Sequence, residues 1–376
     1  MDKRQFLRTG LLGTGCLLCT SGRQVLAGIT GEQSAMADND RWTREALFYS
    51  ETPRGVKCLI CPNECTLKPG ELSDCRNRIN RDGKLYTIAY GNPCAVHIDP
   101  IEKKPLYHFL PSTQSFSIAT AGCNLACLNC QNWTISQSSP TETRNVDLMP
   151  DNLVKQALNN DCRTIAYTYS EPITFFEYTC DSSKLAHEQG VRNILVSAGY
   201  INPEPQHHLI RYIDGANIDL KSFSEEIYLK LNGGKLKPVL EGLKVFREEG
   251  VWLEITNLIV PGWTDDMVMI ARMCDWLFEN GFRDVPLHFS RFHPTYKLTQ
   301  IPPTPVSTLE KAKETALAAG LRFVYIGNVP GSSASNTYCP ECGEIVIERK
   351  GFRITQNNLK AGKCASCSEP IPGVWE

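Results

Sequence analysis

Three cysteines near the middle of the chain have a spacing suited to metal chemistry. Cys123, Cys127 and Cys130 form a C-x3-C-x2-C pattern directly after a predicted strand. Three thiolates can hold a four-iron cluster and leave one iron without a protein ligand, whereas the four-cysteine sites of ferredoxin-type proteins are closed. An open iron can bind a substrate. The alternative for this spacing is a zinc site whose fourth ligand lies elsewhere in the chain.

A group of four cysteines lies near the C-terminus. Its two C-x2-C knuckles contain Cys339, Cys342, Cys364 and Cys367. Between the knuckles, Ile345–Ile347 and Phe352–Ile354 are predicted as short strands. This is a zinc-ribbon pattern, and zinc is favoured because two knuckles make a closed tetrahedral thiolate site. A rubredoxin-like iron and a second iron-sulfur cluster are the alternatives.

A second group of four cysteines precedes the central motif. It consists of Cys58, Cys61, Cys65 and Cys75. The spacing suits either zinc or an auxiliary [4Fe-4S] cluster, and both alternatives stay open. Four protein ligands imply a structural or electron-relay role rather than activation of a substrate.

Composition and charge restrict the function classes. The 376 residues are 42% hydrophobic and 21% charged, which suits one large globular domain with small attachments. Most of the 17 cysteines fall into the three tight groups, a distribution that indicates metal binding rather than disulfides. The formal net charge of -2 provides no basic surface for nucleic acid, so we expect no nucleic-acid partner.

From Phe116 onward, short β-branched or aromatic runs alternate with amphipathic, helix-like stretches. The predicted strands are Phe116–Ala121, Thr164–Ser170, Val191–Ala198, Ala216–Lys221, Val251–Val260, Val285–Phe289 and Leu321–Ile326. This alternation predicts an α/β fold, in which βα units form a partial, TIM-like barrel around a parallel sheet. Loops that follow the strands build the active site of such a barrel.

The chain divides into four predicted regions. Residues 1–40 are a leader or a disordered extension, and residues 41–110 are a cysteine-rich N-terminal segment. The barrel occupies residues 111–330, and a zinc-ribbon-like module occupies residues 331–376.

The leader resembles a twin-arginine export signal in which Lys3 replaces the first arginine before Arg4. Its weakly apolar stretch, Gly10–Leu18, is too short to span a bilayer, so we expect no stable membrane insertion.

Several separated motifs resemble those of one family. They are Asp99–Phe109, Gly122–Leu125, Cys130–Trp133, Tyr167–Pro172, Asn217–Lys221 and Phe292–Pro294. The C-x3-C-x2-C spacing is the signature of the radical S-adenosylmethionine (SAM) superfamily. From about Cys58 to Cys342 the chain resembles the AmmeMemoRadiSam system radical SAM enzymes, relatives of the pyruvate formate-lyase-activating enzymes.

The resemblance implies an oxidoreductase. A [4Fe-4S] cluster on the central cysteines would reductively cleave SAM to methionine and a 5′-deoxyadenosyl radical, which takes hydrogen from a substrate. That substrate is unidentified, and a protein is one candidate, as in glycyl-radical activation. An electron donor such as ferredoxin or flavodoxin and Memo-like partner proteins are also implied. One position departs from the family pattern, because Asn129 replaces the usual aromatic residue that helps to pack the adenine.

The resemblance also assigns residues to the SAM site. Glu171 matches an acidic motif that contacts the amino group of SAM, although a glutamate at a helix start is also favoured by the helix dipole. Asp219 and Lys221 share one face of a predicted buried strand. Because burying unpaired charges is costly, two charged side chains there indicate a functional or structural role. We assign both to the cofactor or substrate site, with a purely structural pair as the alternative.

Three further residues are predicted near strand ends. Asn257 lies in the fifth predicted strand, and His288 and His293 lie in or after the sixth. Asn257 and His293 are assigned to the SAM site, the latter because its Phe-His-Pro setting resembles the family's.

A rival function is a metal-stapled electron-transfer or partner-binding protein without SAM turnover. The open tricysteine motif favours the enzyme, because a binding module does not need an iron without a protein ligand.

The compartment is predicted from two conflicting features. The leader favours the periplasm, but SAM and low-potential electron donors are cytoplasmic resources, and thiolate sites persist in a reducing compartment. We therefore predict a cytoplasmic protein, with export to the periplasm as the alternative.

Overall fold

A computed structural model describes residues 40–376. The chain divides into two units, Met1–Arg41 and Trp42–Glu376, and every element named below belongs to the second. The predicted leader, residues 1–40, lies outside the described residues except for Asp40. In the part of the chain that the structure describes, no helix is both long enough and apolar enough to cross a membrane.

Six short strands form the N-terminal segment. They are β1 (Arg44–Glu45), β2 (Tyr49–Thr52), β3 (Gly55–Cys58), β4 (Thr66–Leu67), β5 (Arg78–Arg81) and β6 (Lys84–Thr87). They pair as two antiparallel sheets with the orders β1-β6-β5 and β2-β3-β4. Asp82 and Gly83 join β5 to β6 with φ values of 50° and 87°, and positive φ at both turn residues is what a two-residue type I′ hairpin requires.

Eight strands form the main sheet. They are β7 (Ala95–Pro100), β8 (Gln114–Ala119), β9 (Thr164–Tyr167), β10 (Arg192–Ser197), β11 (Gly215–Asp219), β12 (Trp252–Ile259), β13 (Leu287–Arg291) and β14 (Val324–Gly327). Hydrogen bonding follows chain order, with β7 antiparallel to β8 and every later neighbour parallel. All seven predicted parallel strands are therefore confirmed, although several end earlier than predicted.

Strand β7 was not predicted from the sequence. Its burial does not alternate because it lies at the sheet edge, and five of its six residues, all but Asp99, are partly buried or exposed. The linear order makes β7 and β14 the two edges, so hydrogen bonding among the described residues does not close a barrel. The TIM-like curvature stays a prediction.

Helices cover one face of the main sheet. The longer ones are Pro150–Asn159, Phe176–Glu188, Pro203–Leu209, Leu236–Glu248, Met267–Glu279 and Val306–Ala318. Shorter ones are the α-helices Trp133–Ser136 and Glu225–Ile227, the 3₁₀ helices Ile101–Lys103, Pro172–Phe175, Ile210–Tyr212 and Ser333–Ser335, and the π-helix Tyr228–Asn232. Leucine, valine and phenylalanine side chains from the longer helices pack against the sheet in one large apolar core. This burial is the main term that stabilises the βα units.

The opposite face of the sheet is partly covered by the segment that connects β7 to β8. Ile101, Leu106, Phe109 and Leu110 pack there against strand residues such as Ala166. The family-like motif Asp99–Phe109 thus fills space between the sheet and the C-terminal module.

Five strands form the C-terminal module. They are β15 (Thr337–Tyr338), β16 (Ile345–Lys350), β17 (Arg353–Asn357), β18 (Leu359–Lys360) and β19 (Lys363–Cys364). The two strands predicted between the cysteine knuckles correspond to β16 and β17. Arg349 is 3% exposed and donates to the Tyr107 carbonyl at 2.8 Å and to the Ser335 carbonyl at 3.0 Å. A buried guanidinium needs such acceptors, so this contact specifies how the module docks.

Candidate functional site

The central cysteines lie on the loop that follows β8 (Gln114–Ala119). Gly122, with a φ of 100°, begins the tricysteine motif, and the short helix Trp133–Ser136 follows it. A Cβ atom at Gly122 would lie 2.5 Å from the Cys75 carbonyl oxygen. Only glycine fits this close approach and this backbone conformation. The loop therefore stands at the carboxyl end of the first parallel strand, where the sequence analysis predicted it.

Hydrogen-bond donors approach the sulfur atoms of the loop. The Leu125 amide donates to Cys123 Sγ at 3.4 Å, and the Asn232 side-chain amide donates to Cys127 Sγ at 3.3 Å. Cys130 Sγ lies 3.1 Å from the Ser136 hydroxyl. Donors of this kind stabilise thiolates and the sulfurs of iron-sulfur clusters. The residues present therefore fit a cluster held by three cysteines.

The spacing of the sulfur atoms argues against zinc at the central motif. Among the described residues, only the four C-terminal cysteines bring three or more metal-binding atoms within 4.8 Å of one another. A tetrahedral zinc site needs this convergence because every sulfur lies about 2.3 Å from one ion. A four-iron cluster instead takes each cysteine on a different iron, so wider sulfur spacing is expected.

Glu171 is buried between two strand ends. Its Oε1 atom accepts from the Ile173 amide at 3.2 Å and from the Ser197 hydroxyl at 2.7 Å, and its Oε2 atom accepts from the Ala198 amide at 2.8 Å. Burial raises the pKa of the Glu171 carboxyl, and these donors oppose the rise. The helix-start geometry is thus present, and a contact with SAM stays a prediction.

Asp219 and Lys221 form an ion pair with an Nζ to Oδ2 distance of 2.7 Å. The prediction that both lie within one strand is wrong, because β11 ends at Asp219 and Lys221 reaches back from the following loop. Burial raises the pKa of the Cys127 thiol, and the nearby Lys221 ammonium opposes that rise. The Lys221 charge also acts on Glu171. The predicted SAM residues therefore gather beside the cysteine loop, although their contact with SAM is untested.

The remaining predicted residues lie in different settings. Asn257 donates to the Leu220 carbonyl at 2.7 Å, directly before Lys221 in the chain, while its Oδ1 atom has no hydrogen-bond partner among the described residues. His293 is exposed on the segment that follows β13. The assignment of both residues to the SAM site stays a prediction.

His288 does not lie near the carboxyl end of its strand. It is the second residue of β13 and its Nε2 atom lies 2.6 Å from Glu254, which is fully buried. Glu254 also accepts from the Tyr107 and His108 amides. His288 thus belongs to a polar network that holds the family-like motif against the sheet.

A cluster of three polar residues beside the loop was not predicted from the sequence. Lys104 is 2% exposed and donates to Asp99 at 2.5 Å, and the Tyr169 hydroxyl donates to the same carboxylate. Tyr169 has a φ of 63°, which is unusual for a bulky residue, and the Asn132 side chain donates to its carbonyl at 2.7 Å. Asp99 and Lys104 lie in a motif that was used only for the resemblance. The sequence feature that could have indicated this cluster is Lys104, a charged residue in a run that also contains apolar residues.

The other two cysteine groups are each brought together by the fold. The C-terminal four converge, with sulfur separations of 3.5 Å for Cys339 and Cys367 and 3.8 Å for Cys342 and Cys364. Cys58, Cys61, Cys65 and Cys75 line one pocket of about 330 Å³.

Comparison with known proteins gives three findings. An uncharacterized protein of Methanocaldococcus jannaschii is 45% identical over 331 residues, which span 87% of this chain and 98% of that protein. Pyruvate formate-lyase 1-activating enzyme of Escherichia coli strain K12 is 25% identical over 206 residues, or 51% of this chain and 84% of the enzyme. The crystal structure of Streptococcus suis SuiB bound to S-adenosylmethionine is 14% identical with a TM-score of 0.46, covering 64% of this chain and 56% of that one.

The family match covers the site. Residues 117–274 match the Radical SAM superfamily, a range that includes the tricysteine loop, Glu171 and the Asp219 to Lys221 pair. The chain therefore contains a radical SAM domain and is similar to pyruvate formate-lyase-activating enzymes.

Proposed function

We propose that the protein is a radical SAM enzyme of the AmmeMemoRadiSam type. The observation that carries the proposal is the loop after β8, where three cysteines with donors to their sulfurs lie near the buried Glu171 and the half-buried Lys221. A binding module without turnover has no need for three thiolates that leave an iron open.

The residues of the chain have separate roles in this proposal. Cys123, Cys127 and Cys130 hold the cluster. When bound, the reduced cluster and SAM supply methionine and a 5′-deoxyadenosyl radical that takes hydrogen from a substrate. Glu171 holds the amino group of SAM, since it is a buried carboxylate near the loop and a charge-assisted contact there is strong.

Lys221 and Asp219 would orient the cofactor. Lys221 is a half-buried cation paired with Asp219, and its charge acts on Cys127 and on Glu171, so it would attract an anionic cluster or the SAM carboxylate. Asn257 fixes the loop that carries Lys221 through its bond to Leu220. We also assign His293, on the segment after β13, to the SAM site.

The substrate class follows from the relatedness to activating enzymes. We propose a protein substrate, with Memo-like proteins as partners and a ferredoxin or a flavodoxin as electron donor. The four convergent C-terminal thiolates suit zinc, which we propose as a structural ion there. The active pool is cytoplasmic in this proposal, because SAM and the electron donor are found there.

The experiment uses the full chain, reconstituted anaerobically and reduced with dithionite. We expect 5′-deoxyadenosine and methionine to form from SAM, and we expect the triple variant Cys123→Ala, Cys127→Ala and Cys130→Ala to form neither. Cys94→Ala is a matched control, because Cys94 is a half-buried cysteine outside the three groups. Turnover by the triple variant, or a reduced wild-type cluster that does not respond to SAM, would overturn the proposal.

A further inference from the structure

The four N-terminal cysteines surround one pocket. Cys58 and Cys75 are buried, whereas Cys61 and Cys65 are half-buried and lie toward the surface. The pocket of about 330 Å³ is also lined by Ser73, Asn63, Asn124, Thr174 and Arg78. Cys58, Cys61 and Cys65 lie within eight residues of one another, and the fold brings Cys75 to the same space.

The N-terminal thiols converge less closely than the four C-terminal thiols. The C-terminal cysteines approach within 3.5 Å and 3.8 Å in pairs, and all four lie within 4.8 Å of one another. The N-terminal cysteines do not reach this convergence within the described residues. The same holds for Cys123, Cys127 and Cys130, which the superfamily uses for a cluster. In lacking this convergence, the N-terminal group resembles the tricysteine group and differs from the C-terminal four.

The pocket also contacts the tricysteine loop on both sides of Cys123. The Asn63 side chain donates to the Asn124 carbonyl at 2.9 Å, and Asn124 itself lines the pocket. The Cys75 carbonyl lies against Gly122, where any Cβ atom would be 2.5 Å away. The N-terminal pocket and the tricysteine loop are thus in direct contact at Gly122 and Asn124.

A buried cation lies beside the pocket. Arg78 is 1% exposed and donates two hydrogen bonds to Glu177, at 3.1 Å and 2.9 Å. This pairing holds the guanidinium in place next to Cys58 and Cys75, where it offers positive charge to an anionic four-thiolate group. Because Glu177 lies on the helix Phe176–Glu188, the pocket is also tied to the main sheet.

We infer that Cys58, Cys61, Cys65 and Cys75 ligate a second [4Fe-4S] cluster, which relays electrons to the cluster on the tricysteine loop. In each transfer the reduced second cluster loses one electron and the SAM-binding cluster gains it, and no atoms move. The electron comes from a low-potential one-electron protein donor such as a ferredoxin. The relay rests on the proposed function, whereas the presence of the second cluster does not.

The first test measures the metal content of the full chain after anaerobic purification. We expect about eight irons and about one zinc per chain, since two four-iron clusters and one zinc site are present. The Cys123→Ala, Cys127→Ala and Cys130→Ala variant should keep about four irons in a cluster whose spectrum does not change with SAM. About four irons with two zincs in the wild type, or an iron-free triple variant with a wild-type circular dichroism spectrum, would overturn the inference.

The second test removes the half-buried ligands. Cys61→Ser with Cys65→Ser should lose about four irons and keep a cluster that responds to SAM. SAM cleavage by this variant should slow more strongly with reduced ferredoxin than with dithionite, a small reductant that reaches either site directly. Equal slowing with both reductants would overturn the relay. The iron count would still decide whether the second cluster is present. If the variant does not fold, Mössbauer spectra of the wild type, which distinguish cluster iron from other iron, decide that count.

Discussion

The side-chain amide of Asn232 donates to the Cys127 sulfur at 3.3 Å, although 105 positions separate the two residues. Asn232 ends the π-helix Tyr228–Asn232, and its carbonyl also accepts from the Ala126 amide at 2.8 Å. π-helical segments are rare and occur often at functional sites. This segment therefore supports the tricysteine loop from a strand connection far along the chain.

Replacing Asn232 with leucine should make the cluster harder to reduce. The reduced cluster carries one more negative charge, which the Asn232 donor stabilises, so its removal should lower the reduction potential. A lost hydrogen bond of about 1 kcal/mol corresponds to roughly 40 mV for a one-electron couple. Spectroscopic redox titration of the anaerobic protein measures this shift. Asn160→Leu is the control, since Asn160 caps an exposed helix end; equal potentials in the two variants would show that Asn232 does not act on the cluster.

Replacing Glu171 with glutamine should weaken SAM binding and leave the cluster in place. Loss of one charge-assisted contact in a buried site costs about 1.5 to 3 kcal/mol of binding free energy. Equilibrium dialysis of SAM under anaerobic conditions measures the change.

Ser197→Ala separates this role of Glu171 from its structural one. The substitution removes the hydroxyl that donates to Glu171 at 2.7 Å but keeps the carboxylate charge. We expect both variants to be less stable and only Glu171→Gln to lose SAM affinity. Unchanged affinity in Glu171→Gln would leave this residue with its helix-start role alone.

Removing the C-terminal metal should destabilise the protein without removing the iron. The double variant Cys342→Ala and Cys367→Ala replaces the two exposed thiols of the group and should lose about one zinc per chain. Because the module docks on the segment beside β8 through Arg349, we expect a lower unfolding temperature and an unchanged iron content. Metal analysis and calorimetry check both. Iron as the dominant metal at this site after zinc-supplemented expression would contradict the zinc assignment.

His108 should make the protein acid-sensitive. Burial lowers the pKa of the His108 imidazole to about 4, from an ordinary value of 6.5. The unfolded chain then binds more protons than the folded chain between these two pH values. The free energy of unfolding is therefore highest above pH 6.5 and falls as the pH drops from 6.5 to 4, by up to about 3 kcal/mol.

His108→Gln should lose this pH dependence, so the difference in unfolding free energy between the variant and the wild type should change between pH 7 and pH 5. The imidazole lies 2.6 Å from the Pro372 carbonyl and 2.5 Å from the Tyr325 hydroxyl, so the variant should also be less stable at neutral pH. Denaturant unfolding at pH 7 and pH 5 measures both effects. His207→Gln, at an exposed histidine, is the control. A difference between His108→Gln and wild type that is the same at both pH values would contradict the assignment.

The sequence by itself determined the chemistry that is local in the chain. Cysteine spacing within a few residues identified the open cluster motif and the two knuckles, because metal ligands on one turn or loop must be close in sequence. The alternation of apolar runs and helical stretches likewise predicted the seven parallel strands, since burial on both faces selects continuous apolar runs. The apolar pattern did not predict β7, because an edge strand with polar residues lacks a continuous apolar run.

Tertiary structure decided everything that depends on contacts between distant segments. The Asn232 donor to Cys127, the Glu254 bonds to the Tyr107 and His108 amides, and the contact of Cys75 with Gly122 join positions that no local pattern relates. The placement of Cys75 around one pocket with Cys58, Cys61 and Cys65 is of the same kind, because the chain between Cys65 and Cys75 must fold back to bring the fourth thiol to the other three.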